Sequence, residues 1–162
     1  MNSPVSNILV FVDGTEQSVT AAQYGICLAK SLKVKLYVLY VVNTRALQDL
    51  VKTRIFVKAE QEEYEKDLEA DAERYLIHVK TLAARKGVEV KALKAQGTVN
   101  AEIRNVIEQN KIDLLILGEL SQIRSRRDEF YDESERAMRT VPCSVLIVKD
   151  EDRVWDLYDS LP

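Results

Sequence analysis

The sequence predicts an α/β protein in which helices cover both faces of an open parallel sheet. Five short apolar segments, rich in β-branched residues, alternate with segments of helical length and period. Most of the apolar segments are continuous rather than alternating, which is typical of strands buried on both faces. Right-handed crossovers between such strands give an open parallel sheet. The predicted strands are Ile8–Val12, Val34–Val42, Val88–Leu93, Asp113–Leu117 and Ser144–Val148.

The length and charge of the chain limit the class of protein. A chain of 162 residues fits one domain and can bury a sizeable core without metal or disulfide staples. The formal net charge is -3, from 23 basic and 26 acidic side chains, which argues against nucleic-acid binding because such binding needs a concentrated positive field. Average usage would give about 11 glycines, and the chain has five. They are Gly14, Gly25, Gly87, Gly97 and Gly118.

The cysteines and the N-terminus indicate the compartment. Cys27 and Cys143 are the only cysteines and lie in apolar surroundings, which favours buried, reduced thiols over a disulfide. The N-terminus has no basic region before an apolar stretch, and no segment approaches the ~18 apolar residues of a membrane span. We therefore expect a cytoplasmic protein that binds no membrane.

Apolar stripes at spacings of three and four residues predict the first two helices. The first runs from Glu16 to Leu32 with Thr15 as its N-cap. Its stripe consists of Ala21, Ala22, Gly25, Ile26, Leu28, Ala29 and Leu32. The second runs from about Ala59 to Lys86 and stops at Gly87. Its apolar face consists of Tyr64, Leu68, Ala72, Tyr75, Leu76, Val79 and Leu82. Periodicity leaves open whether Thr44–Lys58 is a loop, a short helix or the start of the long one.

Two further helices and a tail complete the chain. The third helix follows Gly97 and ends near Asn110, and the fourth runs from about Tyr131 to Thr140, before Val141-Pro142. The residues of the third helix expected to face inward are Ala101, Ile103, Val106 and Ile107. The tail, residues 150–162, is too apolar to be simply solvated. We expect it to pack on the single domain of residues 1–149 or on a dimer mate.

Three predicted strand ends can reach the crevice where open parallel sheets bind ligands, beyond the carboxyl ends of the strands. They are Val12–Thr15, Tyr40–Val42 and Leu117–Glu119. Asp13 could accept hydrogen bonds from a ribose or a base amine, and Gly14 allows a tight turn into a helix whose N-terminal amides favour anions. A second interpretation is equally open, in which Asp13 caps the helix and Gly14 only turns the chain.

The sequence resembles the universal stress protein family over roughly residues 7–149. The matching pieces are ILVFVDGTEQS, LYVLYVV, Gly97-Thr98, KIDLLILGEL and SERAMRTVPCSVLIVK. The resemblance implies a Rossmann-like, adenine nucleotide alpha hydrolase-like fold with strand order 3-2-1-4-5. It also implies dimers and a stress-linked role in bacteria or archaea. Many members bind ATP with a loop after strand four, written G-x2-G-x9-G-[ST].

This loop has lost most of its pattern. Gly118 matches the first position, but Ser121, Tyr131 and Asp132 stand at the other three. If the third position needs a left-handed backbone, Tyr131 costs ~1–2 kcal/mol relative to glycine. A carboxylate at Asp132, ~4 Å from a phosphate, is opposed by about 4 kcal/mol at an effective dielectric constant of ~20.

We therefore expect no ATP binding through this loop and no cofactor. Arg124, Arg126 and Arg127 could pair with a phosphate, but the acids around them favour a self-neutralised surface loop. The candidate nucleotide-binding residues are Asp13, Gly14, Val41, Gly97, Gly118, Ser121 and Ser134.

No catalytic constellation is visible in the sequence. His78 is the only histidine and falls inside the long helix, so Ser-His-Asp, Cys-His and multi-histidine metal sites are unavailable. The acids between Glu60 and Glu73 are expected to form a solvated face rather than a metal site. We expect a protein that is not an enzyme and holds no metal.

The last predicted strand supplies the expected homodimer contact. In the implied order it is an apolar edge strand, which invites pairing with a second chain into a closed two-fold dimer. The interface residues are Ser144, Val145, Leu146, Ile147 and Val148. Three functions follow: a non-catalytic dimeric stress or signalling protein, a nucleotide-binding switch, or an interaction module that contacts an unknown protein partner through the arginine–acid loop or the tail.

Overall fold

Strands and helices alternate along the chain. The computed structural model describes residues 3–44, Lys52, 58–120 and 133–162. The strands are β1 (Asn7–Val12), β2 (Lys35–Asn43), β3 (Val90–Gly97), β4 (Leu114–Gly118) and β5 (Ser144–Val148). The helices are α1 (Glu16–Leu32), α2 (Lys58–Arg85), α3 (Val99–Asn110), α4 (Glu133–Thr140) and α5 (Glu151–Ser160).

The strands form one parallel sheet in the order β3-β2-β1-β4-β5. The central strand β1 pairs on both sides, so that Val10 lies opposite Val38 of β2 and Ile116 of β4. The predicted open parallel sheet is confirmed, and so is the strand order that the family resemblance implies. Strands β3 and β5 lie at the two edges.

Two apolar cores cover the two faces of the sheet. On one face, Ile8, Val10 and Val38 pack with residues of α1 and α2, including Ile26 and Leu76. The other core contains Leu9, Leu39, Leu115, Ile103 and Ala137, which join β1, β2 and β4 to α3 and α4. Adjacent strand residues therefore enter opposite cores, which is why the central strands are continuously apolar.

Local hydrogen bonds fix both ends of α1. The Thr15 hydroxyl accepts from the Ser18 amide at 3.2 Å, which confirms Thr15 as the N-cap. At the other end Lys33 adopts a left-handed conformation with φ 58°, and its amide and that of Val34 both donate to the Ala29 carbonyl. This arrangement ends the helix at Leu32, with Lys33 as its C-cap.

Four of the five strands differ from their predicted bounds: β1, β2 and β4 by no more than one residue at either end, and β3 by more. Strand β3 was expected at Val88–Leu93 but begins at Val90 and continues to Gly97, paired with β2 throughout. The polar residues of its second half are tolerated because β3 is an edge strand. Strand β4 begins at Leu114 rather than Asp113, since the Asp113 carboxylate accepts from the amides of Ser6 and Asn7 at 2.8 and 3.3 Å.

Three residues predicted on buried helix faces are exposed. Leu32 is 50% exposed because it lies in the last turn of α1, and Tyr64 is 40% exposed on α2. Helix α2 has 28 residues and is about 42 Å long, whereas the nine-residue β2 spans about 30 Å. The helix is therefore longer than the sheet that it covers. The first fully buried residue described on α2 is Ala72, which follows Tyr64 in the chain. Ala101 in the first turns of α3 is also exposed.

Some sequence predictions lie outside the described residues. Helix α4 is described from Glu133, so the predicted start at Tyr131 is not covered. Most of Thr44–Lys58, whose structure the sequence left open, is not covered either.

The C-terminal residues form α5, which packs on α1. Val154 and Tyr158 are buried in the core that α1 and α2 share. The Tyr158 hydroxyl donates to the Leu82 carbonyl at 2.7 Å, and Lys30 Nζ donates to the Pro162 carbonyl at 2.6 Å. These contacts attach α5 to both helices on that face of the sheet.

Candidate ligand crevice at the carboxyl ends of the strands

The sheet brings most of the candidate residues to one end, where its strands have their carboxyl ends. Because all strands are parallel, Asp13 after β1, Gly97 at the end of β3 and Gly118 at the end of β4 lie at their carboxyl ends. Val41 lies in β2, two residues before its end. Ser134, half-buried, is the second residue of α4. Ser121 lies outside the described residues.

The Asp13 carboxylate is engaged by its own loop. Its Oδ1 accepts from the Thr15 amide at 3.0 Å and from the Thr15 hydroxyl at 2.6 Å. The Asp13 amide donates to the Ser18 hydroxyl at 3.2 Å. Asp13 therefore orders the turn into α1, as in the helix-capping interpretation. Its side chain remains exposed at the carboxyl end of the sheet.

An aromatic ring covers Gly14. Gly14 has φ +87°, and a Cβ added there would lie 2.8 Å from Tyr75 Cε2. The Tyr75 ring is nearly parallel to that of Tyr40, with an interplanar angle of 6° and centroids 6.1 Å apart. Burial, with the nearby carboxylates of Asp71 and Asp13, raises the pKa of the Tyr40 phenol. The α2 side of the turn is thus closed by a tyrosine pair.

Sequence reasoning missed this tyrosine pair. The helical spacing of Tyr75 placed it on the apolar face of the second helix, and Tyr40 fell inside an apolar strand. Nothing in either pattern indicates that the two rings meet above Gly14. The only available signal is that Tyr40 lies near the end of a strand that reaches the crevice.

Gly118 is required by packing. A Cβ at this position would lie 2.5 Å from the Gln17 carbonyl oxygen and 2.9 Å from the Ser18 amide nitrogen. Backbone atoms of a helix cannot move away as a flexible side chain can, so only glycine lets the end of β4 pass the first turn of α1. The packing accounts for Gly118 without any ligand.

Val41 and Gly97 are also held by the fold. Val41 is buried in the core on the α3 face of the sheet and pairs with Ala95 of β3. Gly97 has φ +138°, where L residues are strained, and a Cβ there would lie 3.1 Å from Glu102 Oε1. Both residues sit at the crevice edge and both have a structural role.

The cysteines and acids show no reactive centre in the described residues. Burial raises the pKa of the Cys27 thiol and that of the Cys143 thiol, so neither is an activated thiolate at neutral pH. Both thiols are free and half-buried. Among residues 3–44, 58–120 and 133–162, no group of three or more His, Cys, Asp or Glu side chains could hold a metal ion. His78 is exposed on α2.

The predicted interface strand β5 pairs only with β4 in the described sheet. Ser144 is exposed, Val145 to Ile147 are half-buried, and Val148 is buried. In the same described part of the chain, no helix is both long and apolar enough to cross a membrane.

This architecture defines a Rossmann-like α/β domain in which most of the candidate residues lie at the carboxyl ends of the strands. The sequence profile of the universal stress protein family matches residues 4–149, and the chain belongs to that family. Helix α5 lies outside the matched residues.

Relatives agree along most of the chain. A universal stress protein of Methanocaldococcus jannaschii is 27% identical over 142 residues, which cover 88% of this chain and 81% of the relative. The solved structure of universal stress protein UspA from Lactobacillus plantarum has a TM-score of 0.71 at 22% identity and covers 91% of this chain and 100% of its own. A family protein from Arabidopsis thaliana, solved with AMP bound, has a TM-score of 0.63 at 15% identity, with coverages of 91% and 94%.

Proposed function

We propose that this universal stress protein family member is a non-catalytic, dimeric stress-response or signalling protein of the cytoplasm that does not bind ATP through the glycine loop. The observation that carries the proposal is the packing of Gly118 against the backbone of Gln17. Gly118 is the only glycine of the loop pattern that remains, and the packing demands it whether or not a nucleotide binds.

The chemistry of the lost positions supports the same proposal. Tyr131 stands where the third glycine would be, and Asp132 where the Ser or Thr would contact a phosphate. A carboxylate ~4 Å from a phosphate charge is opposed by about 4 kcal/mol at an effective dielectric constant of ~20, which corresponds to about a thousandfold loss of affinity. Glu119, which is exposed after β4, adds a further negative charge to the loop.

An adenine-nucleotide switch is the second candidate. The Arabidopsis relative holds AMP, and Asp13 of this chain remains exposed at the crevice edge. AMP carries fewer phosphates than ATP, so binding through the base and ribose would depend less on the loop than ATP binding does. This candidate would use Asp13, Val41 and Gly118.

Nucleotide content and titration distinguish the two candidates. The purified protein is extracted and its nucleotide measured, and ATP and AMP are then titrated by calorimetry. The first proposal expects no bound nucleotide and no ATP affinity in the micromolar range. Stoichiometric ATP would overturn it, whereas AMP binding that is lost in Asp13→Ala would favour the switch.

A loop variant tests whether the residues at the lost loop positions prevent ATP binding. In Ser121→Gly/Tyr131→Gly/Asp132→Ser the pattern is restored, and ATP binding should then appear. The matched control Ser121→Gly restores one glycine and keeps both Tyr131 and Asp132, so it should remain without ATP affinity. If the triple variant also fails to bind, the loop chemistry is not the obstacle.

The dimer component of the proposal rests on the outer edge of β5, which pairs with no other strand of the described residues. Leu146 is half-buried in the middle of that strand, and a two-fold axis would bring the two copies of this strand together. Leu146→Lys should therefore convert dimers to monomers in sedimentation, because like charges face each other across the edge. Ser144→Lys, at the exposed start of the strand, is the control with a smaller effect. A wild-type monomer would exclude the proposed dimer.

A further inference from the structure

A cleft of about 770 Å³ opens at the amino ends of β2 and β3, at the opposite end of the sheet from the ligand crevice. Its apolar lining comes from both strands and from the segments that precede them: Ala29, Val34, Leu36, Tyr37, Val88 and Val90. Its size lies within the ~300–1,000 Å³ typical of small-molecule pockets.

Four lysines surround this amino-end cleft, with one acid. They are Lys30, Lys33, Lys35 and Lys91, and the acid is Glu89. This is a locally positive site on a chain whose net charge is -3. No ion pair within 4.0 Å joins any of these lysines to a carboxylate of the described residues.

Lys94 lies on β3, as Lys91 does, but it is paired with carboxylates. Its Nζ lies 2.8 Å from Glu69 Oε2 and 2.9 Å from Glu73 Oε1, so α2 neutralises this lysine. Lys91, three residues earlier, lies over the Tyr37 ring instead, at 5.8 Å from the centroid. Lys91 thus lies beside an aromatic side chain of the cleft and forms no ion pair with a carboxylate of the described residues.

The lysines at the end of α1 are not needed to cap the helix. Backbone amides of Lys33 and Val34 already donate to the Ala29 carbonyl. The Lys30 ammonium donates to the carbonyls of Lys86 and Pro162 at 2.8 and 2.6 Å, whereas Lys33, Lys35 and Lys91 are exposed. These three ammonium groups are therefore available to a ligand.

We propose that the amino-end cleft binds an organic anion with an apolar body, such as a medium-chain carboxylate. The carboxylate would pair with the ammonium groups of Lys33, Lys35 and Lys91, since charge-assisted hydrogen bonds are the strongest that these side chains make. The hydrocarbon would cover Val34, Val88 and Val90, which line the cleft and are only half-buried. The charged and the apolar parts of the site are both needed to define the ligand, because the lysines alone would not select an anion with an apolar body.

The test uses decanoate and butanoate as probes, titrated into the full-length protein by calorimetry. Both carry one carboxylate, and only decanoate can cover the apolar lining. Decanoate should bind at least about tenfold more tightly than butanoate, because each buried CH₂ adds to the affinity. Amide chemical shifts of Val88 and Val90 should move on addition of decanoate, and those of Gly118 should not.

A matched pair of variants tests the charges. Lys33→Asn/Lys91→Gln removes two charges from the cleft, and Lys111→Asn/Lys80→Gln removes two elsewhere. Lys33 and Lys111 both follow a helix in a left-handed conformation, with φ 58° and 52°, and asparagine is suited to this conformation. Decanoate affinity should fall about tenfold in the first variant and less than about twofold in the second.

Three results would overturn the proposal. Wild-type protein that does not bind decanoate below about 1 mM excludes the site, since that affinity is only about 4 kcal/mol. Equal losses in the two variants would reveal a general charge effect, and shifts confined to the carboxyl-end crevice would place the ligand elsewhere. None of these results depends on whether ATP binds.

Discussion

Tyr75 of α2 stacks on Tyr40 of β2, with ring centroids 6.1 Å apart, and its edge occupies the space that a side chain on Gly14 would need. Two elements far apart in sequence thus close one side of the turn between β1 and α1. The turn is also held by hydrogen bonds between Asp13 and Thr15. Packing between elements and local turn chemistry therefore both act on this turn.

Removing the Tyr75 ring should destabilise the fold. Tyr75→Ala leaves a cavity above Gly14 and removes the aromatic stack, so the free energy of unfolding should fall by about 2–4 kcal/mol. Urea denaturation monitored by circular dichroism measures the change. Tyr75→Phe keeps the ring and should cost less than about 1 kcal/mol. Equal costs for the two variants would contradict the packing role.

A substitution at Gly118, the remaining glycine of the loop pattern, tests whether packing requires it. Gly118→Ala forces a Cβ against the Gln17 carbonyl and should lower the free energy of unfolding by about 1–3 kcal/mol with no nucleotide present. Gly87→Ala is the control, because a Cβ at Gly87 meets nothing within 4 Å and only its φ of +70° is unfavourable; its cost should be about 1 kcal/mol. A Gly118→Ala protein as stable as the wild type would remove the structural explanation.

Gln23 on α1 is fully buried, and neither its Nε2 nor its Oε1 has a hydrogen-bond partner in the part of the chain that the structure describes. Burying an amide without partners costs about 1–3 kcal/mol. Gln23→Met keeps a similar volume without polar atoms, so we expect the free energy of unfolding to rise by about 1 kcal/mol. Gln17→Met on the exposed side of α1 should leave it unchanged. A loss of stability in Gln23→Met would mean that the amide is satisfied in solution.

The free energy of unfolding should decrease in alkaline solution because two tyrosines have raised pKa values in the folded protein. Burial raises the pKa of Tyr40 and of Tyr158 above the ordinary value of 10.0. Above that value the unfolded chain loses these phenol protons while the folded chain keeps them. The unfolded state then binds fewer protons, so the free energy of unfolding falls as the pH rises.

Urea midpoints measured between pH 8 and about 11 test this expectation. In Tyr40→Phe/Tyr158→Phe the alkaline decline should be shallower than in wild type. An unchanged slope in the double variant would show that other groups cause the alkaline loss.

Much of the sheet could be predicted from local patterns. Continuous apolar segments such as Ile8–Val12 and Leu114–Leu117 are buried on both faces, and this burial is written directly into their composition. Thr15 as N-cap and the end of α2 before Gly87 follow from short-range backbone chemistry. The boundaries of β3 could not be predicted in the same way, because an edge strand accepts polar residues.

The sequence by itself determined the order of the elements, the damaged loop pattern and the family resemblance, since each depends on residues that are neighbours in the chain. The tertiary structure decided what those residues do. Gly118 is held by the backbone of α1, Tyr75 covers Gly14, and four lysines surround one cleft. Each of these contacts joins separate elements, and no periodicity along a single element records which distant atoms will occupy the adjoining space.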